Sequence, residues 1–207
     1  MNVSRGSPLI SPSDSNSSME LVAGTLSVPI EQQASCFFLH NFVHTPRDPT
    51  SRGWFDFLVP LVKAESPESH LSVAFSAVAL ASLANRPNTK GRGLMPQAIG
   101  LYAKALKQIN LALQNPTQQK QDSTLAAILL LGFFETVTSE RSNVMAWGSH
   151  IDGAVQLVKM RGKKQLRTKT GHALFVAVRT QMVCQRMPSA EDAANHTYVA
   201  HPLHVRL

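Results

Sequence analysis

The run Leu125-Ala-Ala-Ile-Leu-Leu-Leu-Gly-Phe-Phe134 carries no polar or charged side chain on any side. A helix that is apolar all round has no face to offer water, so other helices must surround it. At this length it is too short to span a bilayer, so the demand falls on the rest of the chain. Asp122 ahead of it reads as the cap of that helix. Glu135 directly after it is a carboxylate at the end of a buried helix and needs a partner, with Arg161 or Arg179 the candidates.

Amphipathic helices to enclose it are legible on both sides. Apolar residues from Glu31 to Val43 predict a first helix, stopped by a loop holding Pro46, Pro49 and Gly53. A short helix over Trp54 to Ala64 follows. Ser66-Pro67-Glu68 then reads as N-cap, first-turn proline and acid, opening a helix that runs to about Asn85. Its alanines, Ala74, Ala77, Ala79, Ala81 and Ala84, would let neighbouring backbones come close, which suits a central element. After a turn over 86–94, a helix from about Met95 to Gln114 shows Ile99, Tyr102, Leu106, Ile109 and Leu113 at 3.6-residue spacing and ends at Asn115-Pro116.

The helix holding Trp147 has Trp147, Ile151, Ala154 and Val158 in one stripe, with His150, Leu157 and Arg161 along its edge. Ser149, Asp152, Gln156 and Lys159 lie opposite. Gly153 costs helix propensity and so predicts close approach of another backbone; His150 reads as a buried, hydrogen-bonded histidine rather than a ligand or base. A last helix, about Thr170 to Arg186, places Leu174, Val178 and Met182 on one side before Pro188.

Together these elements predict an all-α fold, a multi-helix bundle of about seven helices spanning 31–187. Residues 1–30 hold many serines and few large apolar groups, so burial cannot offset their ordering entropy, and they read as a disordered lead-in. Ser7-Pro8 and Ser11-Pro12 within it have the form of proline-directed phosphorylation sites. Residues 188–207 read as an irregular tail in which His196, His201 and His204 are taken as solvent-exposed rather than metal-binding.

The 207 residues give a net charge of +7, with 43% hydrophobic and 16% charged residues, a balance suited to a globular protein. Part of the excess is local, since Arg161, Lys163, Lys164, Arg167 and Lys169 crowd one connection. That cluster reads first as a solvated loop and second as an import or phosphate-contact patch. Met1 to Ala23 has no apolar stretch of signal-peptide length, so an intracellular chain is expected and the sequons at Asn2, Asn16 and Asn195 carry little meaning. Cys36 and Cys184 alone make neither a disulfide framework nor a cysteine zinc site and are expected to be buried thiols. No HExxH, GxSxG, P-loop or GxGxxG motif is present, and the acids Asp152, Glu135 and Glu140 show no paired helical spacing with a histidine. The sequence therefore nominates no catalytic, cofactor-binding or metal residue, no cofactor, and no enzyme. A tetratricopeptide-like scaffold would need a 34-residue repeat, and the helices do not repeat one another.

One stretch carries a family signature: Trp147-x-x-His150-x-x-Gly153-Ala154, Arg161-Gly162, then Gly171-x-x-Leu174-Phe175-x-x-x-Arg179. With Tyr102-x-Lys104-Ala105-Leu106 and the Asp122 to Glu135 helix upstream, it resembles the middle homology region of fungal zinc binuclear cluster transcription factors. The resemblance covers about residues 31 to 187. It implies a helical regulatory region acting in the nucleus, with the cytoplasm also open, through protein partners, homo- or heterodimers or a small-molecule effector, and control of secondary-metabolite or nutrient-use genes. The six-cysteine DNA-binding cluster of that family is not among these residues, which leaves direct DNA binding doubtful; a helical interaction scaffold, or an enzyme without a recognisable motif, is the alternative. The family's region normally continues with more helices, so the chain reads as truncated or diverted near residue 188.

Overall fold

The computed structural model describes residues 28–46, 53–86, 93–138 and 144–186, with the side chains of 144–147 and 184–186 left aside. Seven α-helices follow one another: α1 Ile30–Phe42, α2 Leu58–Ala64, α3 His70–Ala84, α4 Leu94–Gln114, α5 Asp122–Thr138, α6 Val144–Arg161 and α7 Lys169–Arg186. Short 3-10 turns occupy Gln118–Lys120 and Lys163–Arg167. The fold is all-α; among the described residues extended pairing is confined to one bridge between His44 and Trp54.

Two helices form the centre. Nearly every side chain of α5 from Ser123 to Glu135 is buried, as the all-round apolar run requires, and α3 is buried from Leu71 to Leu83 except at the half-buried Ser76. Helix α3 packs against α1, α4 and α5, while α5 also meets α6 and α7. The alanines of α3 do what their size permits: Ala74, Ala77, Ala79 and Ala81 are essentially inaccessible. Helix α3 runs parallel to α5, since His70 and Thr124 meet at their starts and Asn85 Nδ2 donates to Val137 O at their ends, 2.5 Å away.

Several local expectations shift. The cap of α3 is Ser69, whose hydroxyl accepts from the Ser72 N–H at 3.2 Å; Ser66 instead accepts the Ser69 N–H in a preceding turn. Trp54 does not begin a helix, because paired backbone hydrogen bonds to His44, 2.9 and 2.8 Å long, hold it extended. Asp122 is the first residue of α5 rather than its cap, and its carboxylate is engaged elsewhere. On α4 Ile109 is buried and Tyr102, Leu106 and Leu113 pack on the core as expected, but the rest of the buried stripe is Ala98, Ala105 and Ala112, and Ile99 is left 53% exposed. Cys36 is exposed, not buried: it lies two positions from both Ala34 and Phe38, about half a helical turn away from the face they bury.

The lead-in up to residue 27, with its Ser-Pro pairs, lies outside the described residues. So do the tail histidines and the side chains of Trp147 and Cys184.

Candidate functional site

Where α4, α5 and α6 meet, three polar side chains join inside an otherwise apolar packing. The Tyr102 hydroxyl donates to Glu135 Oε1, and the Tyr102 hydroxyl oxygen lies 3.0 Å from His150 Nε2. Because the hydroxyl proton goes to the carboxylate, Nε2 must carry its own proton and donate to the tyrosine oxygen. The Tyr102 ring stacks on Phe134 with centroids 4.4 Å apart and meets His150 edge-on. Glu135 therefore has a partner, but it is Tyr102 rather than Arg161 or Arg179. Arg161 pairs with Asp122 at the other end of the α5–α6 contact, and Arg179 is exposed on α7.

Burial first, and then the Glu135 carboxylate, push the Tyr102 hydroxyl far above its ordinary value, so it stays protonated and remains the donor. Burial lowers the His150 value, an effect that Glu135 opposes. His70, bonded to Thr124 at 3.2 Å, is lowered by burial too. Tyr102→Phe removes the donor that the described residues supply to a buried carboxylate, and we expect it to destabilise the fold by about 1–3 kcal/mol in urea titration. A change within error would mean that Glu135 reaches water.

The two histidines set a pH dependence with a definite sign. Each is held below its usual value of 6.5 in the fold, so the unfolded chain takes up protons first as the pH falls past 6.5. Their contribution to stability is complete above that point and is lost as the pH drops through it towards the folded values. The urea midpoint is expected to fall between about pH 7.5 and about pH 5.5, and His70→Gln with His150→Gln to flatten that slope. An equally steep slope in the double variant would remove the histidines as its source.

Around this hub the signature residues serve packing. Ile151 and Ala154 are buried as expected, but Gly153 is exposed with open space where a Cβ would stand. The close approach belongs to Gly171: a Cβ there would lie 2.1 Å from Gln165 O and 2.8 Å from Thr168 Oγ1. Gln165 in turn donates to Val158 O and Gly162 O, at 2.8 and 2.9 Å, so the basic connection between α6 and α7 is fastened down rather than loose. Gly162 makes the turn possible with φ 65. Lys163, Lys164, Arg167 and Lys169 point to solvent on it.

Tyr102, Glu135 and His150 line none of three grooves on the described surface. One groove of about 510 Å³ runs between α1, α3 and α4, beside Ala34, Ser76 and Leu101. A larger one, about 840 Å³, lies between the Gly53–Phe57 corner and α7, and opens into a recess of about 310 Å³ at Pro46 and Pro60. This groove has no sign in the sequence, because its corner reads there as the start of α2. The signal it did offer for the polar hub was Tyr102 itself, a hydroxyl placed on the core-facing side of an alanine-rich helix.

Among the described residues no three His, Cys, Asp or Glu side chains gather as metal ligands would, and no helix is long and apolar enough to cross a membrane. No curated protein and no solved structure is significantly similar to the chain. The family model described as the fungal specific transcription factor domain matches residues 36–182, from within α1 to within α7. That match takes in both central helices, the polar hub and the fastened basic connection, and by it the chain belongs to the fungal specific transcription factor domain family.

Proposed function

We propose that the chain is the helical regulatory portion of a nuclear transcriptional regulator, acting through protein partners and without catalysis of its own. The observation that carries this reading is the family match over 36–182, which spans every helix of the bundle at least in part. The geometry is in keeping with it. The polar residues that meet, Tyr102, Glu135 and His150, bond to one another inside the bundle and line none of the three grooves described above. The two cysteines of these residues cannot form a six-cysteine zinc cluster, so DNA contact would be supplied by a partner or by protein sequence outside them. The genes under control are those for secondary metabolism or nutrient use.

Deleting the gene and comparing transcripts tests this directly. A coordinated change in one group of metabolic genes is the expected result, with a fluorescently tagged chain found in nuclei. An unchanged transcript profile under the conditions where the chain is expressed, with the tag excluded from nuclei, would sink the reading.

A further inference from the structure

Helix α7 has two working faces. Leu174, Val178 and Gln181 turn inward to the bundle. On the far side Lys169, Ala173, Val176 and Thr180 fall in one row, at the three- and four-residue steps that align side chains on a helix, and all four line the 840 Å³ groove. A volume of that size suits a small molecule, since ligand clefts run from about 300 to 1,000 Å³.

The opposite wall is aromatic. Trp54, Phe55 and Phe57 line it from a corner in which Phe55 has φ 54, a left-handed conformation that costs a bulky side chain about 1–2 kcal/mol. The corner persists because its surroundings hold it. The Phe55 ring is 1% exposed and packs edge-on against Phe133 at 5.5 Å and Phe57 at 5.9 Å, while Trp54 is tied to His44 through the backbone. Strain of this kind, kept in place by packing, collects where a binding wall must be shaped in advance.

Charge then selects the ligand. Lys169, His172 and Arg179 stand exposed along the α7 side, and no carboxylate among the described residues pairs with Lys169 or Arg179. Asp56 is the one acid in the lining, and it lies against Gly53 at the corner. Between these charges the surface is apolar, formed by Trp54, Ala173, Phe175 and Val176.

From the aromatic wall, the volume and the unpaired cations we infer that the groove between the Trp54–Phe57 corner and α7 binds a small organic anion. The ligand is a flat, largely apolar body bearing a carboxylate or sulfonate. Its body lies between Trp54 and Val176, and Arg179, whose planar fork matches a carboxylate, receives the anionic group. Lys169 and His172 add positive potential, and Asp56 subtracts from it. The inference rests on the regulatory reading in that it names the class of effector, but it is tested on the purified chain, so failure to bind leaves the transcript experiment untouched.

The probes are 2-naphthoate, its uncharged counterpart 2-naphthamide, and inorganic phosphate, titrated calorimetrically into the full 207-residue protein. Saturable binding of one naphthoate is expected, with the amide about tenfold weaker and phosphate unable to compete. Arg179→Gln, at an exposed position that cannot endanger the fold, should weaken naphthoate about tenfold and leave the amide unchanged. Asp56→Asn should tighten naphthoate. Equal binding of acid and amide, indifference to Arg179→Gln, displacement by phosphate, or no saturation at the solubility limit would each overturn the proposal. A dimer in sedimentation that Phe175→Asp dissociates, together with no naphthoate binding, would assign this face to a second copy of the chain and overturn it as well.

Discussion

Phe38→Ala is expected to lower the unfolding free energy by about 3–5 kcal/mol, the largest loss from any single truncation considered. Phe38 is 0% exposed and is the hub of an aromatic cluster, with ring centroids 5.4 Å from Phe42, 6.4 Å from Phe55, 5.7 Å from Phe75 and 6.0 Å from Phe133. Removing the ring forfeits its transfer free energy and leaves a cavity bounded by four other rings, which cannot all move to fill it. Each lost edge-on pair adds to the deficit, which places the expected cost towards the upper end of the range. A domain of this kind has a total stability of about 5–15 kcal/mol, so much of it would go. The effect also reaches the groove, because Phe55 holds its left-handed corner by packing against Phe38 and Phe133. Urea denaturation followed by circular dichroism checks the number, with an unchanged m-value as the sign that stability alone has moved. Phe37→Ala is the control: Phe37 is half-buried under the Arg86 guanidinium, 4.9 Å from its ring centre, and should cost clearly less. Equal costs for the two would refute the hub.

What was legible in the sequence and what was not divide along a physical line. The burial of α5 follows from composition alone, since a helix with no polar side can only be an inner one. The end of α4 at Asn115-Pro116 is equally local, and so is the arrangement of α6, where Ile151 and Ala154 point inward and Asp152 and Gln156 outward. Errors arise where a second chain segment decides. Ser66 and Ser69 are both able caps, and only the turn geometry selects Ser69. Trp54 to Phe57 has a helical composition, yet a bridge to His44 draws its first residue into extended backbone. On α4 the expected apolar face holds at Tyr102, Leu106, Ile109 and Leu113, but close contact with α3 draws in Ala98, Ala105 and Ala112 beside it and turns Ile99 outward. For the same reason Gly153 and Gly171 could not be told apart: close approach at Gly171 depends on how the Lys163–Arg167 turn lies against the start of α7. The groove combines two such non-local features, so it was the part of the candidate site least visible beforehand.

The second large effect belongs to an ion pair the sequence misassigned. Arg161 ends α6 and Asp122 opens α5, so the two helices run antiparallel here, with a cation at one C-terminus and an acid at the adjacent N-terminus, each favourable to its own helix dipole. The Arg161 side chain is 6% exposed and that of Asp122 30%. Asp122→Ala would leave a buried guanidinium with no carboxylate, and its Nη1 already lacks a partner. Breaking a fully buried pair costs about 3–5 kcal/mol; because Asp122 keeps contact with water, about 2–3 kcal/mol is expected here. The asymmetry of burial makes a sharper test than either single variant. Once Arg161→Met has removed the charge that needs compensation, adding Asp122→Ala should cost little, so the double variant should recover most of the loss seen in Asp122→Ala alone. Additive losses in the double-mutant cycle would show that the two side chains do not depend on each other. Hydrogen exchange offers an independent reading, since Arg161 directly precedes Gly162 and the fastened turn. Asp122→Ala should raise exchange at the amides of Gln165 and Gly171 well before it raises exchange in α3, because the pair anchors the end of α6 from which the basic connection departs.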